Sequence, residues 1–97
     1  MTPITPNSIY QRSPSATHQT VAGEAILIDL NTGSYYSLNE TGTWLWEHLD
    51  GKRTVGELAM ELAVACSISD QVEIVQQDLI DLVANLLKEE LVIKEIG

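Results

Sequence analysis

The sequence predicts an α+β domain of winged helix-turn-helix-like type, in which a three-stranded antiparallel sheet is followed by three helices. Two observations carry this expectation. Apolar residues alternate with a period of two as far as Leu38, and from Asn39 onward the period changes to 3.6, with helix caps and turn glycines between the segments.

The first strand is expected over Thr17 to Ala22, where Thr20 and Val21 are β-branched, and Gly23 turns the chain. In the second, Glu24 to Leu30, the residues Ile26, Ile28 and Leu30 alternate with Leu27 and Asp29, so the hairpin has one clearly apolar face. Asn31-Thr32-Gly33-Ser34 has the composition of a bulged hairpin loop, and Tyr35 to Leu38 resumes the alternation as a third strand. Pro3, Pro6 and Pro14 lie among Thr, Ser and Asn before all of this. Residues 1–15 therefore read as a loosely held, flexible N-terminal arm and 16–97 as the folded domain.

Asn39 is the expected N-cap of the first helix, with Gly42, Leu45, Trp46 and Leu49 on its buried stripe and Asp50-Gly51 closing it. Thr54 and Glu57 have the spacing of a capping box. Val55, Leu58, Ala59, Leu62, Ala63 and Cys66 then form the stripe of helix two. A third and longest helix starts at Ser69 or Asp70 and runs to about Glu89, with Val72, Val75, Leu79, Leu82, Val83 and Leu86 on one face. Leu91 to Ile96 alternate weakly, which suits either a short strand or an extended tail.

Composition narrows the function. Ninety-seven residues serve one hydrophobic core, and a net charge of -9 sets the chain against phosphate backbones and anionic membranes, so neither is an expected partner. The lone Cys66 cannot close an internal disulfide, and the chain has neither a membrane-length apolar run nor a secretory signal pattern; a reducing cytoplasm fits.

The residues that could carry chemistry are sparse. His18 and His48 fall on different elements, and Cys66 has no Lys, Arg or His nearby to activate it. Asp78 and Asp81 read as a solvated helix face, and the glycines are too scattered for a phosphate loop. Ser67-Ile68-Ser69-Asp70 has the wrong order for the Asp-Ser-Leu anchor of an acyl carrier protein. The expectation is a protein that is not an enzyme and holds no cofactor and no metal. Trp44 lies off the stripe of helix one, and Tyr35 points to the face opposite Leu38, so either ring caps the core or flanks a groove.

Several stretches, in order, resemble the PqqD family: Gly23 to Leu30, Gly33 to Gly42 with its Tyr-Ser-Leu-Asn-Glu-Thr-Gly run, Leu45-Trp46, Leu49-Asp50-Gly51, Thr54-Val55 and Glu57-Leu58. The likeness extends from about Ser13 to Val92 and includes Asp78, Leu82, Leu86 and Leu91-Val92. It departs at Glu90, where glycine is usual, and at Trp44, where the residue is generally smaller. The family comprises the pyrroloquinoline quinone biosynthesis protein D and related recognition elements of ribosomally made, post-translationally modified peptides.

The resemblance implies a winged helix that holds the leader segment of a precursor peptide as an added strand, in the groove between the third strand and the third helix. It would present that peptide to a modifying enzyme, such as a radical S-adenosylmethionine enzyme or a leader protease. Here those elements are Ser34 to Leu38 and the helix containing Val75 to Val83, and the expected peptide-binding residues are Ser34, Tyr35, Tyr36, Ser37, Val75, Gln76, Leu79 and Ile80. An open strand edge beside an apolar wall agrees with that role, and open edges also allow a homodimer. The competing readings are a winged-helix transcription regulator and a scaffolding subunit without a peptide ligand. Helix three presents Glu73, Asp78, Asp81 and Glu89 where a DNA reader needs Arg, Lys or Asn.

Overall fold

A computed structural model describes residues 4–94. In chain order the elements are β1 (Tyr10–Arg12), β2 (Ala16–Val21), β3 (Glu24–Asp29), β4 (Tyr35–Ser37), α1 (Glu40–His48), α2 (Val55–Ala65), a 3-10 turn at Ser69–Gln71, α3 (Val72–Lys88) and β5 (Val92–Lys94). The strands β2, β3 and β4 form an antiparallel sheet in that order, and β1 pairs with β5 in a second, two-stranded sheet. The expected α+β winged-helix-like architecture is present, with one addition at the chain ends.

That addition changes the reading of the arm. Tyr10 pairs with Lys94 and Arg12 with Val92, the Tyr10 side chain is 2% exposed, and Ile9 bridges to Thr54. The backbone carbonyls of Pro6 and Ser8 accept from the N–H groups of Gly56 and Val55, two donors that α2 cannot satisfy in its own first turn. Residues 6–12 are therefore woven into the domain. The cause is non-local: they cap one helix and pair with a strand from the far end of the chain. Met1 to Pro3 and Glu95 to Gly97, which belong to the expected arm and tail, lie outside the described residues. The tail left open between strand and extended chain contains a strand, Val92–Lys94.

The local helix signals hold. The Asn39 side chain accepts from the Gly42 N–H, and Thr54 and Glu57 make both bonds of the capping box. α2 and α3 both end in a paired C-terminal motif: Ser67 and Ile68 donate to Val64 and Ala63, and Glu90 and Leu91 donate to Leu87 and Leu86. Such a motif turns the chain through a left-handed residue, and here those residues are Ser67 at φ 59 and Glu90 at φ 60. Because Cys66 caps α2 at this turn, its side chain is exposed and does not continue the buried stripe as expected. The third helix also begins slightly late, at Val72, after the 3-10 turn.

In β3 the buried residues are Ala25, Leu27 and Asp29, so the apolar row Ile26, Ile28 and Leu30 is the outer one. Packing of α1 fixes this phase. The Ala25 N–H donates to Thr43 Oγ1 at 2.8 Å, a contact that needs a small side chain at position 25. Above that face Leu45, Trp46, Leu58, Leu79, Val83 and Leu86 close one core together with Tyr10 and Leu27. Among the described residues no helix is long and apolar enough to cross a membrane.

Candidate functional site

Among the described residues β4 has a partner on one side only, β3, and its other side is a free edge of the sheet. The hydrogen-bond phase decides which groups that edge offers. Ser34 C=O accepts from the Asp29 N–H, and Leu38 N–H donates to Ala25 C=O, each at 2.8 Å. In an antiparallel ladder the residues between such partners alternate, so Tyr35 and Ser37 direct their N–H and C=O groups away from β3. The edge is short. It presents a row of main-chain donors and acceptors to an extended segment.

The side chains alternate in the opposite sense. Tyr35, paired with Ile28, stands on the outer face of the sheet and is 76% exposed, whereas Tyr36, opposite Leu27, is half-buried toward the core. Of the two tyrosines, then, Tyr36 supports the domain and Tyr35 is free for contact. Ser34 and Ser37 are exposed. Beside Tyr35, the outer face continues into Ile28 and Ile26, an apolar surface next to the edge.

The wall beside β4 is set by which flank of α3 faces it. A Cβ on Gly42 would lie 3.1 Å from Leu38 Cδ2 and 3.3 Å from Leu82 Cδ2, so Leu82 leans over the start of α1 toward the end of β4. At 100° per residue Asp78 and Asn85 share that flank, and both are exposed. Gln76 occupies the other side: its Oε1 lies 3.7 Å from where a Gly56 Cβ would be, against the first turn of α2. Ile80, one turn on from Gln76, shares that flank and is half-buried.

The structure thus divides the expected site. Ser34, Tyr35, Tyr36 and Ser37 are together on the free strand. Leu79 is 0% exposed and Val75 only 7%, so both belong to the core beneath the wall. Gln76 and Ile80 face away from β4. The flank of α3 toward Gly42 and Leu38 carries Asp78, Leu82 and Asn85, none of which is among the expected residues. A signal for two of them was available, because Asp78 and Leu82 are part of the pattern that carries the family resemblance.

Electrostatics adds a rigid hinge below α1. Arg53 Nε donates to Asp50 Oδ2 at 3.1 Å, its Nη1 to Glu61 Oε1 at 2.6 Å and its Nη2 to the His48 carbonyl at 2.9 Å, which ties α1, the turn and α2 together. The bond to Glu61 raises the Arg53 pKa above its ordinary value. Asp50 is lowered to about 2 by the backbone N–H groups of Arg53 and Lys52. His18 lies exposed on β2 and His48 stacks on Trp44, far from forming a pair. Among the described residues no group of three His, Cys, Asp or Glu is placed to hold a metal ion.

Comparison with known proteins follows the same lines. The structure of TbiB1 in complex with the TbiA(beta) leader peptide is 26% identical to this chain, covers 84% of it and 93% of its own chain, and superposes with a TM-score of 0.71. A lasso peptide synthetase B1 complexed with the leader peptide shares 18% identity, covers 87% of this chain and 96% of its own, and has a TM-score of 0.73, a likeness of fold. Among curated proteins none matches. The family model for coenzyme PQQ synthesis protein D matches residues 24–92, which include β3, β4, all three helices and the start of β5, and the chain therefore belongs to the PqqD family.

Proposed function

We propose that this protein is a non-catalytic, cytoplasmic recognition module that binds the leader segment of a ribosomally made precursor peptide and presents it to a modifying enzyme, a radical S-adenosylmethionine enzyme or a leader protease. The leader adds as a strand to β4, bonding to the outward groups of Tyr35 and Ser37. The observation that carries this is the free β4 edge with Leu82 leaning over its end. The likeness to TbiB1, a chain that binds a leader peptide, supports it.

Magnitudes place the specificity in side chains. Each new main-chain hydrogen bond nets about 0.5–1.5 kcal/mol, whereas ordering a disordered leader costs roughly 2–5 kcal/mol. Backbone pairing alone is marginal. One or two buried apolar leader side chains, at about 1.5–3 kcal/mol each, decide the outcome. In an added strand, alternate side chains would meet Tyr35 on the outer face and Leu82, with Asp78 and Asn85, on the inner one.

The test is a fluorescence titration with the leader peptide encoded beside this chain's gene. Ser37→Pro removes an N–H that β3 does not use, and Leu82→Asp puts a charge in the wall. Each is expected to weaken leader binding about tenfold or more. Ile80→Asp, on the other flank, leaves it within about twofold. Unchanged affinity in folded Ser37→Pro and Leu82→Asp variants would contradict the proposal.

A further inference from the structure

On the side of α1 away from β4, an open cleft of about 640 Å³ separates α1 from α2. It is lined by Trp44 and His48 from α1 and by Glu57, Met60, Glu61 and Val64 from α2. Trp44 is half-buried, and its indole stacks on the His48 imidazole with centroids 3.9 Å apart and planes 15° from parallel. His48 is itself fixed, its Nδ1 lying 2.7 Å from the Trp44 carbonyl oxygen. Met60 is 61% and Val64 62% exposed, one turn apart on α2. A surface helix with its apolar residues packed does not leave two such side chains and an indole facing one another across water.

We propose that this cleft is the docking site for the modifying enzyme, and that the enzyme inserts a segment bearing a large apolar side chain flanked by Lys or Arg. The inference rests on the leader-presentation reading, because it assigns the second partner of that reading to a surface of its own. Charge selects the chemistry of the occupant. The lining contains two carboxylates, Glu57 and Glu61, and no lysine or arginine. The guanidinium nearest in sequence, Arg53, is divided between Glu61 and Asp50. A basic segment gains from this rim, and a second copy of a chain with net charge -9 is opposed by it.

Geometry lets both partners bind together. Gly42, which Leu38 and Leu82 both approach, marks the flank of α1 next to the end of β4. Trp44 and His48 follow it by two and six residues, about 200° and 240° around the helix, and so lie on its opposite flank. A leader on β4 leaves the cleft open.

The experiment measures binding of the full chain to the purified modifying enzyme encoded beside its gene, by calorimetry with and without the leader peptide. A Met60→Glu, Val64→Glu double variant changes only exposed side chains, and circular dichroism checks its fold. The proposal predicts enzyme affinity at least tenfold lower with leader affinity within twofold of wild type. Glu57→Gln with Glu61→Gln, which keeps the capping-box and Arg53 hydrogen bonds, weakens enzyme binding several-fold and flattens its salt dependence. Enzyme affinity within twofold of wild type in the double variant overturns the proposal, as does absence of enzyme binding to the wild-type chain or a dimer of this chain that the double variant dissolves without affecting the enzyme. If the leader fails to bind while the double variant still loses the enzyme, the leader reading fails and this assignment stands.

Discussion

Leu38, directly after β4, and Leu82, on α3, both close on the bare backbone of Gly42, where a Cβ would press within 3.1 Å of one and 3.3 Å of the other. The close approach seats α3 against the junction where β4 passes into α1. Gly42→Val inserts a branched side chain where neither leucine has room, and overpacking of this kind costs about 1–3 kcal/mol. A thermal melt is expected to fall by roughly 4–8 °C for each kcal/mol in a domain of this size. An unchanged melting temperature would show that the wall yields freely.

Glu90 occupies the left-handed turn that ends α3, at φ 60, with Leu91 N–H donating to Leu86 C=O. A side chain in that conformation costs about 1–2 kcal/mol, a cost that glycine avoids. Glu90→Gly is expected to stabilise the protein by about 1 kcal/mol, part of the gain being offset by the greater freedom of glycine in the unfolded chain. Denaturant unfolding checks the sign.

Arg12 ties the N-terminal segment to the core. Its Nε donates to the Trp46 carbonyl at 2.9 Å, and its guanidinium lies 5.2 Å from the centre of the Trp46 ring. Arg12→Ala removes a charged hydrogen bond and a cation–π contact, which together are worth about 2 kcal/mol. The same measurement in the wild type and the variant gives the difference, and a change below about 0.5 kcal/mol would return residues 6–12 to the status of a loose arm.

Asp50 makes the stability respond to acid. Its Oδ1 accepts from the N–H groups of Arg53 at 3.0 Å and Lys52 at 2.9 Å, and these bonds lower its pKa from 3.8 to about 2. Because the folded value lies below the unfolded one, the carboxylate stabilises the fold above the unfolded pKa, and this contribution is lost as pH falls toward the folded value. Asp50→Asn is therefore expected to be less stable than wild type near neutrality, with the difference shrinking toward zero by about pH 2. Unfolding curves across that range test it; a constant difference would assign the effect to packing.

What could be read from the sequence follows from how local each determinant is. Asn39, Thr54 and Glu57 act within one turn, so their helix starts were visible in the order of residues. Tyr10 to Arg12 find their partners at Val92 to Lys94, and three-residue strands carry no period to betray such a pairing. In β3 hydrophobicity alone favours the face of Ile26 and Ile28, but the approach of α1 through Thr43 selects the side with small Ala25. The free strand was legible because its alternation runs into a helix cap. The wall was legible only through Asp78 and Leu82 in the family pattern, because a helix whose stripe is correctly found still has two flanks, and its neighbours Gly42 and Gly56 tell them apart.

Amide hydrogen exchange at Tyr35 and Ser37, followed by NMR with the leader peptide encoded beside this gene, reads the strand addition most directly. If the leader extends the sheet, these two outward N–H groups slow by about tenfold or more at saturation, while Tyr36, already bonded to β3, changes less. A leader that binds tightly and leaves both of them exchanging at their free rate would contradict docking on β4.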